Sequence, residues 1–190
     1  MKTHKLQLPI FPLPVFLLPD GITRLRIFEP KYLKMITMAT QGRGFVICLN
    51  NKTTATNKNT WGSWVEIINF HQGADSILEV DVKCKSLVDI HSIHIDSNQL
   101  HHGDVSCLEH WANVKPDATT DGLAASLTDV FENTPLLEQL YGDIPKDNPK
   151  WVVARWLELL PLEQLAKNEF VDKYSFVQAK TFIHDIIFKS

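Results

Sequence analysis

The stretch from Lys5 to Pro19, KLQLPIFPLPVFLLP, decides how the chain is read. Lysines ahead of an apolar run near an N-terminus are how a secretory signal peptide begins. The apolar region of such a peptide is helical, yet Pro9, Pro12, Pro14 and Pro19 interrupt this one. Each proline in a helix interior removes a donor and clashes with the preceding turn, at about 3 kcal/mol. No small-x-small cleavage signal follows, and the run ends at Pro19-Asp20-Gly21, a turn signal. With those breaks it is too short to cross a bilayer as a helix. The stretch is therefore expected to be extended, its prolines confining it to a sheet edge or to strand ends. It reads as part of the mature protein, and the chain as cytoplasmic.

Working outward, ITRLRIF alternates, with Arg24 and Arg26 on one face and Leu25 and Ile27 on the other. In EPKYLKMITMATQG the period changes. Glu29 precedes Pro30 at the first helical position, Tyr32, Met35, Ile36 and Ala39 share a stripe, and Gly42 supplies a stop, so a short amphipathic helix is expected. GFVICLN and SWVEIINFH read as strands, and NKTTATNKNT (51–60) as a loop. In ILEVDVKCK, Leu78, Val80, Val82 and Cys84 are predicted to face a core, and Glu79, Asp81, Lys83 and Lys85 water. SLVDIHSIHID continues extended after a bulge near Ser86. Strands at this spacing with one short helix suggest an antiparallel or mixed β-barrel.

Lys115–Gly122, KPDATTDG, reads as a linker, and almost everything beyond it as helix. Thr134 and Asn148 are predicted N-caps, with Pro135 and Pro149 at the first helical positions. NPKWVVARWLELLP carries two apolar stripes and should sit centrally in a bundle, with Arg155 and Glu158 as its polar strip. The expected division is a β domain over 1–115 and an α-helical bundle over 116–190. Charge follows it. The first part holds 12 Lys/Arg against 10 Asp/Glu, and the second 7 against 12, within a net charge of -3. No global field favours nucleic acid or an anionic membrane.

Chemistry is sparse. There is no G-x-x-x-x-G-K-[ST] or G-x-G-x-x-G loop and no G-x-S-x-G elbow. Cys48, Cys84 and Cys107 have neither metal-ligand spacing nor an even count, and read as buried free thiols. The histidines His91, His94, His101, His102 and His110 suggest zinc by type. Their placement argues otherwise. His91 and His94 are three apart in a strand and so point to opposite faces, and His101-His102 falls in a polar loop with Gly103 and Asp104. They read as surface or structural residues. Cys107 with His110 lacks an orienting third group, and Trp151 and Trp156 read as core. Arg24, Arg26, Lys31 and Lys34 are basic but have acidic neighbours. No catalytic, cofactor-binding or metal-ligating residue is assigned, and no cofactor is expected.

Leu8–Ile36, LPIFPLPVFLLPDGITRLRIFEPKYLKMI, resembles the opening signature of the Lon N-terminal (substrate-binding) domain family. Those proteins start with a Leu-Pro-Leu-Phe-Pro-Leu-type strand, a Pro-Gly turn and an Arg-Ile-Phe-Glu-Pro-Arg-Tyr block. Here the block is Arg26-Ile27-Phe28-Glu29-Pro30-Lys31-Tyr32. WVVARWLELLPLEQLAKNEFVD resembles the helical half of stand-alone members. Asp20 stands where glycine is common and Arg24 where proline is. The family's Gly-x-x-Arg-Phe turn appears as Cys84-Lys85-Ser86-Leu87-Val88, without Gly or Arg. The resemblance implies an α+β protein: a PUA-like β-barrel with one short helix, then a C-terminal helical bundle. With no nucleotide loop before Ser190, the ATPase and Ser-Lys peptidase parts of Lon are expected to be absent, and the protein to be no enzyme.

What the resemblance implies is a non-catalytic module that binds unfolded or exposed polypeptide segments or mediates assembly. The binding surface and the oligomeric state are not assigned. An RNA-binding PUA-like module is the alternative and needs a contiguous basic face. A small-ligand crevice is a third reading and needs convergent polar groups. The signature residues also have structural readings: Glu29 capping the helix, Phe28 and Tyr32 packing beneath it, and Arg26 pairing with an acid.

Overall fold

The proline-rich stretch forms β1, Leu6–Pro12, and it is not an edge strand. The structure, a computed structural model, describes residues 6–48, 60–111 and 114–189. The loop expected over 51–60 lies outside them except at Thr60. The other strands are β2 (Ile22–Ile27), β3 (Phe45–Cys48), β4 (Thr60–Gln72), β5 (Leu78–Ile95) and β6 (His101–Leu108), with α1 (Pro30–Ala39) between β2 and β3. β1 runs antiparallel to β6 over Leu6–Ile10 and parallel to β3 over Ile10–Pro12. The stagger accommodates the prolines. Pro9 lies where only β6 is alongside, and Pro12 ends the strand, so neither removes a donor from a doubly paired position.

The six strands form one mixed sheet in the order β2-β5-β4-β3-β1-β6. β6 also pairs with β5, so the pairings run round a ring of β5, β4, β3, β1 and β6. β5 is the common partner, flanked by β2 and β4 in its first half and by β4 and then β6 in its second. A register shift leaves Lys85 opposite the Trp64/Val65 step, which increases local twist. Leu8, Ile10, Val46, Cys48, Val88, Ile90 and Val105 form a buried cluster from β1, β3, β5 and β6. On the other side of β1, Phe11 packs against Tyr32 of α1, ring centroids 4.3 Å apart. Met35, Ile36 and Ala39 are buried along the same helix. Asp20, where the family favours glycine, adopts φ 64, a left-handed conformation that aspartate tolerates better than most residues.

Two compact units are present, Met1–Leu108 and Glu109–Ser190. The second holds α2 (Ala118–Glu132), α3 (Pro135–Tyr141), α4 (Pro149–Leu159), α5 (Gln164–Asn168) and α6 (Phe176–Lys189). Part of the expected linker is helix. Asp117 caps α2 by accepting from the Thr120 N–H, while the Thr120 hydroxyl takes the Asp117 N–H, a reciprocal cap. Asn148 caps α4 through the Trp151 N–H, but Thr134 makes no side-chain cap. α4 is buried almost all round, and Trp151, Phe131 and Tyr141 pack with centroids 5.1–5.7 Å apart. Arg155, expected on a polar strip, is 1% exposed, because its guanidinium lies over Trp151 and Tyr141 while binding Glu158 at 2.8 Å.

Candidate functional site

The candidates for chemistry separate. His101 and His102 sit on β6, not in a loop. Their backbones are taken up by β1 and β5, and Gly103 between them lets Ile10 come close; a Cβ there would lie 2.8 Å from Ile10 Cδ1. His94 is paired directly with His102, and His91 bonds Ser106 Oγ at 2.8 Å. Among the described residues no three His, Cys, Asp or Glu side chains stand where they hold a metal ion. Cys48 and Cys84 are buried, but Cys107 is exposed, because it falls on the outward face of β6. His110 bonds the Val171 carbonyl at 2.9 Å. Burial, reinforced by Lys150, pushes its pKa down to about 4 against the opposing pull of that carbonyl. Trp151 and Trp156 are core.

Of the four basic candidates, Arg24, Arg26 and Lys31 are neutralised locally. Lys31 pairs with Glu29 at 3.1 Å, so Glu29 does not cap α1. Arg26 pairs with Asp75 and, at 3.6 Å, with Glu79. Arg24 reaches Asp81 Oδ1 through Nε at 2.7 Å and Oδ2 through Nη2 at 3.1 Å, and His71 Nε2 shares that Oδ2 at 2.6 Å. Asp81, expected in water, is only 5% exposed. Burial alone would raise its pKa, but the hydrogen bonds and charges of Arg24 and His71 outweigh that and hold it below the usual carboxylate range. This cluster ties β2, β5 and β4 into one arm.

At the turn end of that arm the surface becomes apolar. Ile68 and Phe70 on β4 are 45% and 50% exposed. Phe28, one residue beyond β2, is 68% exposed; it does not pack beneath α1, because Phe11 already occupies Tyr32. Register explains the placement. A shift between Ile67 and Asn69 makes Ile68 the extra residue of a bulge, and Phe70 is level with Val80, which is level with Leu25. Among the described residues, Glu66–Gln72 pairs with β5 alone, since β3 covers β4 only at Ser63–Val65. The Phe70 N–H takes Asn69 Oδ1 at 2.9 Å. The signal in the sequence was the doublet Ile67-Ile68, which breaks strict alternation.

The chain is an α+β protein with a six-stranded mixed sheet, a helical unit and an apolar strand edge. The chain belongs to the ATP-dependent protease La (LON) substrate-binding domain family, whose model matches residues 7–173. A crystal structure of a Lon N-terminal domain protein from Xanthomonas campestris is similar, with 26% identity and a TM-score of 0.67, over 91% of this chain and 95% of that one. The N-terminal domain of Mycobacterium avium complex Lon protease shares the fold at a TM-score of 0.63 and 11% identity, over 94% and 96% of the two chains. No curated protein matches the sequence. Among the described residues no helix is long and apolar enough to cross a membrane.

Proposed function

We propose that the chain is a non-catalytic, cytoplasmic module that recognises exposed apolar segments of polypeptide, engaging them along the outer edge of β4. The observation that carries this reading is the edge Glu66–Gln72, which lacks a second strand among the described residues and presents Ile68 and Phe70. An extended segment laid along it would gain main-chain hydrogen bonds and cover both side chains, the mode by which sheet edges capture peptides. Completing the burial of two half-exposed residues is worth about 1 kcal/mol each. Asn69, by occupying the Phe70 N–H, blunts the edge against self-association until a segment displaces it. Phe28 extends the apolar surface on the β2 side. In this reading the β unit is a PUA-like barrel, which the ring of pairings supports.

The RNA reading needs a basic face, and the ion pairs of Arg24, Arg26 and Lys31 count against one. The test is binding of the purified protein to an unfolded model polypeptide, with single-stranded RNA in parallel at two salt concentrations. Saturable polypeptide binding that persists at higher salt and falls severalfold in a Phe70→Ser/Ile68→Ser variant is expected. Polypeptide binding that the variant leaves unchanged removes β4 as the site. RNA binding that collapses with salt replaces the whole reading.

A further inference from the structure

The composition of α3 is at odds with its place in the helical unit. Pro135, Leu136, Leu137, Leu140 and Tyr141 make it apolar nearly all round, which suits a buried helix. Yet none of its residues is buried, whereas α2, α4 and α6 each bury a set of apolar side chains. Tyr141 packs on Phe131 of α2 and Trp151 of α4, centroids 5.1 and 5.7 Å away. Leu137, four residues before Tyr141, shares that side. Leu136 and Leu140, also four apart, share the adjoining side, and Leu136 is 49% exposed. Little else holds the helix: it is too short to be stable alone, and Thr134 supplies no side-chain cap.

The stretch around it carries one sign of charge. Residues 129–147 hold five carboxylates, those of Asp129, Glu132, Glu138, Asp143 and Asp147, against one lysine, Lys146. All five acidic residues are exposed. Among the described residues none of them is in an ion pair. The ion pairs of this unit lie elsewhere, joining Arg155 to Glu158, Lys173 to Glu109, Lys180 to Asp117 and Lys189 to Asp185.

These two features together select a partner. A second copy of this chain would bring like charges to the face, and nucleic acid or an anionic membrane would be repelled by it. Charge complementarity therefore calls for a cationic protein. Among the described residues no strand lies in Glu109–Ser190, so a partner gains no main-chain ladder here and binds through side chains. An amphipathic helix does so, with apolar anchors at i, i+3, i+4 and i+7. We infer that α3 and the last turn of α2 form a docking face for a lysine- or arginine-rich amphipathic helix of a partner protein. Leu136 and Leu140 supply the apolar contact, and the carboxylates steer the approach and fix the register. The face lies in the helical unit and takes a helix, where the β4 edge takes an extended segment.

The probe is a fluorescently labelled synthetic helix of about 15 residues, with leucine at the anchor spacing and lysine elsewhere. It is titrated with the purified full chain at low and at physiological salt. Saturable one-to-one binding is expected, weakening severalfold as salt rises. Leu136→Ser and Asp129→Lys/Glu132→Lys should each weaken it roughly tenfold. Lysines in the last turn of α2 agree with the helix dipole, so the double variant should stay folded, which far-UV circular dichroism verifies. Leu165→Ser, at an exposed leucine of α5, should leave binding intact. Amide NMR shifts should move within 129–147, and shifts confined to β4 overturn the inference. A peptide of the same composition with its leucines scattered should bind weakly, and equal binding would reduce the face to bare charge attraction. No saturation below millimolar peptide at low salt, or binding unchanged in either variant, also overturns it. Dimerisation of the chain that Leu136→Ser abolishes would give the face to a second copy instead.

Discussion

Replacing Asp81 by asparagine tests the arm that presents the β4 edge. The substitution keeps the volume of the side chain and removes the charge that binds Arg24 through two nitrogens and meets His71. Breaking a buried ion pair by neutralising one partner costs about 3–5 kcal/mol, because the remaining charge is left desolvated. The Arg24 side chain is 19% exposed and that of Asp81 7%, so some water remains and the cost should fall near the lower bound, about 2–4 kcal/mol. For a protein of this length that lowers Tm by roughly 4–16 °C. Urea denaturation followed by far-UV circular dichroism reads it. A double variant, Arg24→Met/Asp81→Leu, removes both charges and should recover most of the loss, since an apolar pair has no desolvation to repay. The carboxylate also carries a pH dependence. Its folded pKa is depressed, so its contribution is present above the unfolded carboxylate range and disappears as pH falls through the folded value. An Asp81→Asn protein within about 0.5 kcal/mol of wild type would show that the cluster is ornamental and would refute the reasoning.

Gly44→Ala should destabilise the β unit by more than about 2 kcal/mol. Gly44 has φ 66, and a Cβ would lie 1.9 Å from the Val65 carbonyl oxygen, so an unchanged melting curve contradicts the β3–β4 register. His110, neutral in the fold down to about pH 4, makes stability fall as pH drops from about 6.5, because the unfolded chain binds the proton first. His110→Gln should flatten that part of the pH–stability curve, and a slope that persists assigns it to other groups. Of the three cysteines, Cys107 alone should react with a thiol reagent in the native protein, since Cys48 and Cys84 are buried and burial pushes the Cys48 thiol up to about 11. Mass spectrometry after brief labelling counts the adducts, and a second labelled site would contradict the packing of β3 or β5.

α1 was legible because three signals agree on it: Pro30 at its start, an i, i+3, i+4 stripe and Gly42 at its end. The long β5 was legible in its alternation, but alternation assigns Asp81 to water, and only the tertiary partners Arg24 and His71 explain its burial. Arg155 misleads for a related reason: Trp151 is its i−4 neighbour on α4, but the second aromatic face, Tyr141, comes from α3, which local spacing does not bring alongside. β6 was hidden because His101, His102, Gly103 and Asp104 are poor strand formers, and the strand exists through its neighbours β1 and β5. Its glycine was the clue, marking a close approach rather than a loop. Of the proposed site, Phe70 falls in a stretch the sequence already marks as strand. Its exposure follows from the point where β3 stops covering β4, which is set by strand lengths far apart in the chain.

The pairing of Leu6 with Val105 has a consequence for synthesis. Of the two strands, β1 leaves the ribosome first and waits for β6 before their antiparallel ladder can form. At 5–20 residues per second that interval is roughly 5–20 s. During it an apolar, proline-rich stretch of the chain is without its final partner, in the presence of other nascent chains. Prolines at positions 9, 12, 14 and 19 make such a stretch a poor template for intermolecular strand addition. The stagger of β1 between β6 and β3 allows Pro9 and Pro12 to remain in the finished sheet, so protection during synthesis does not have to be undone by folding.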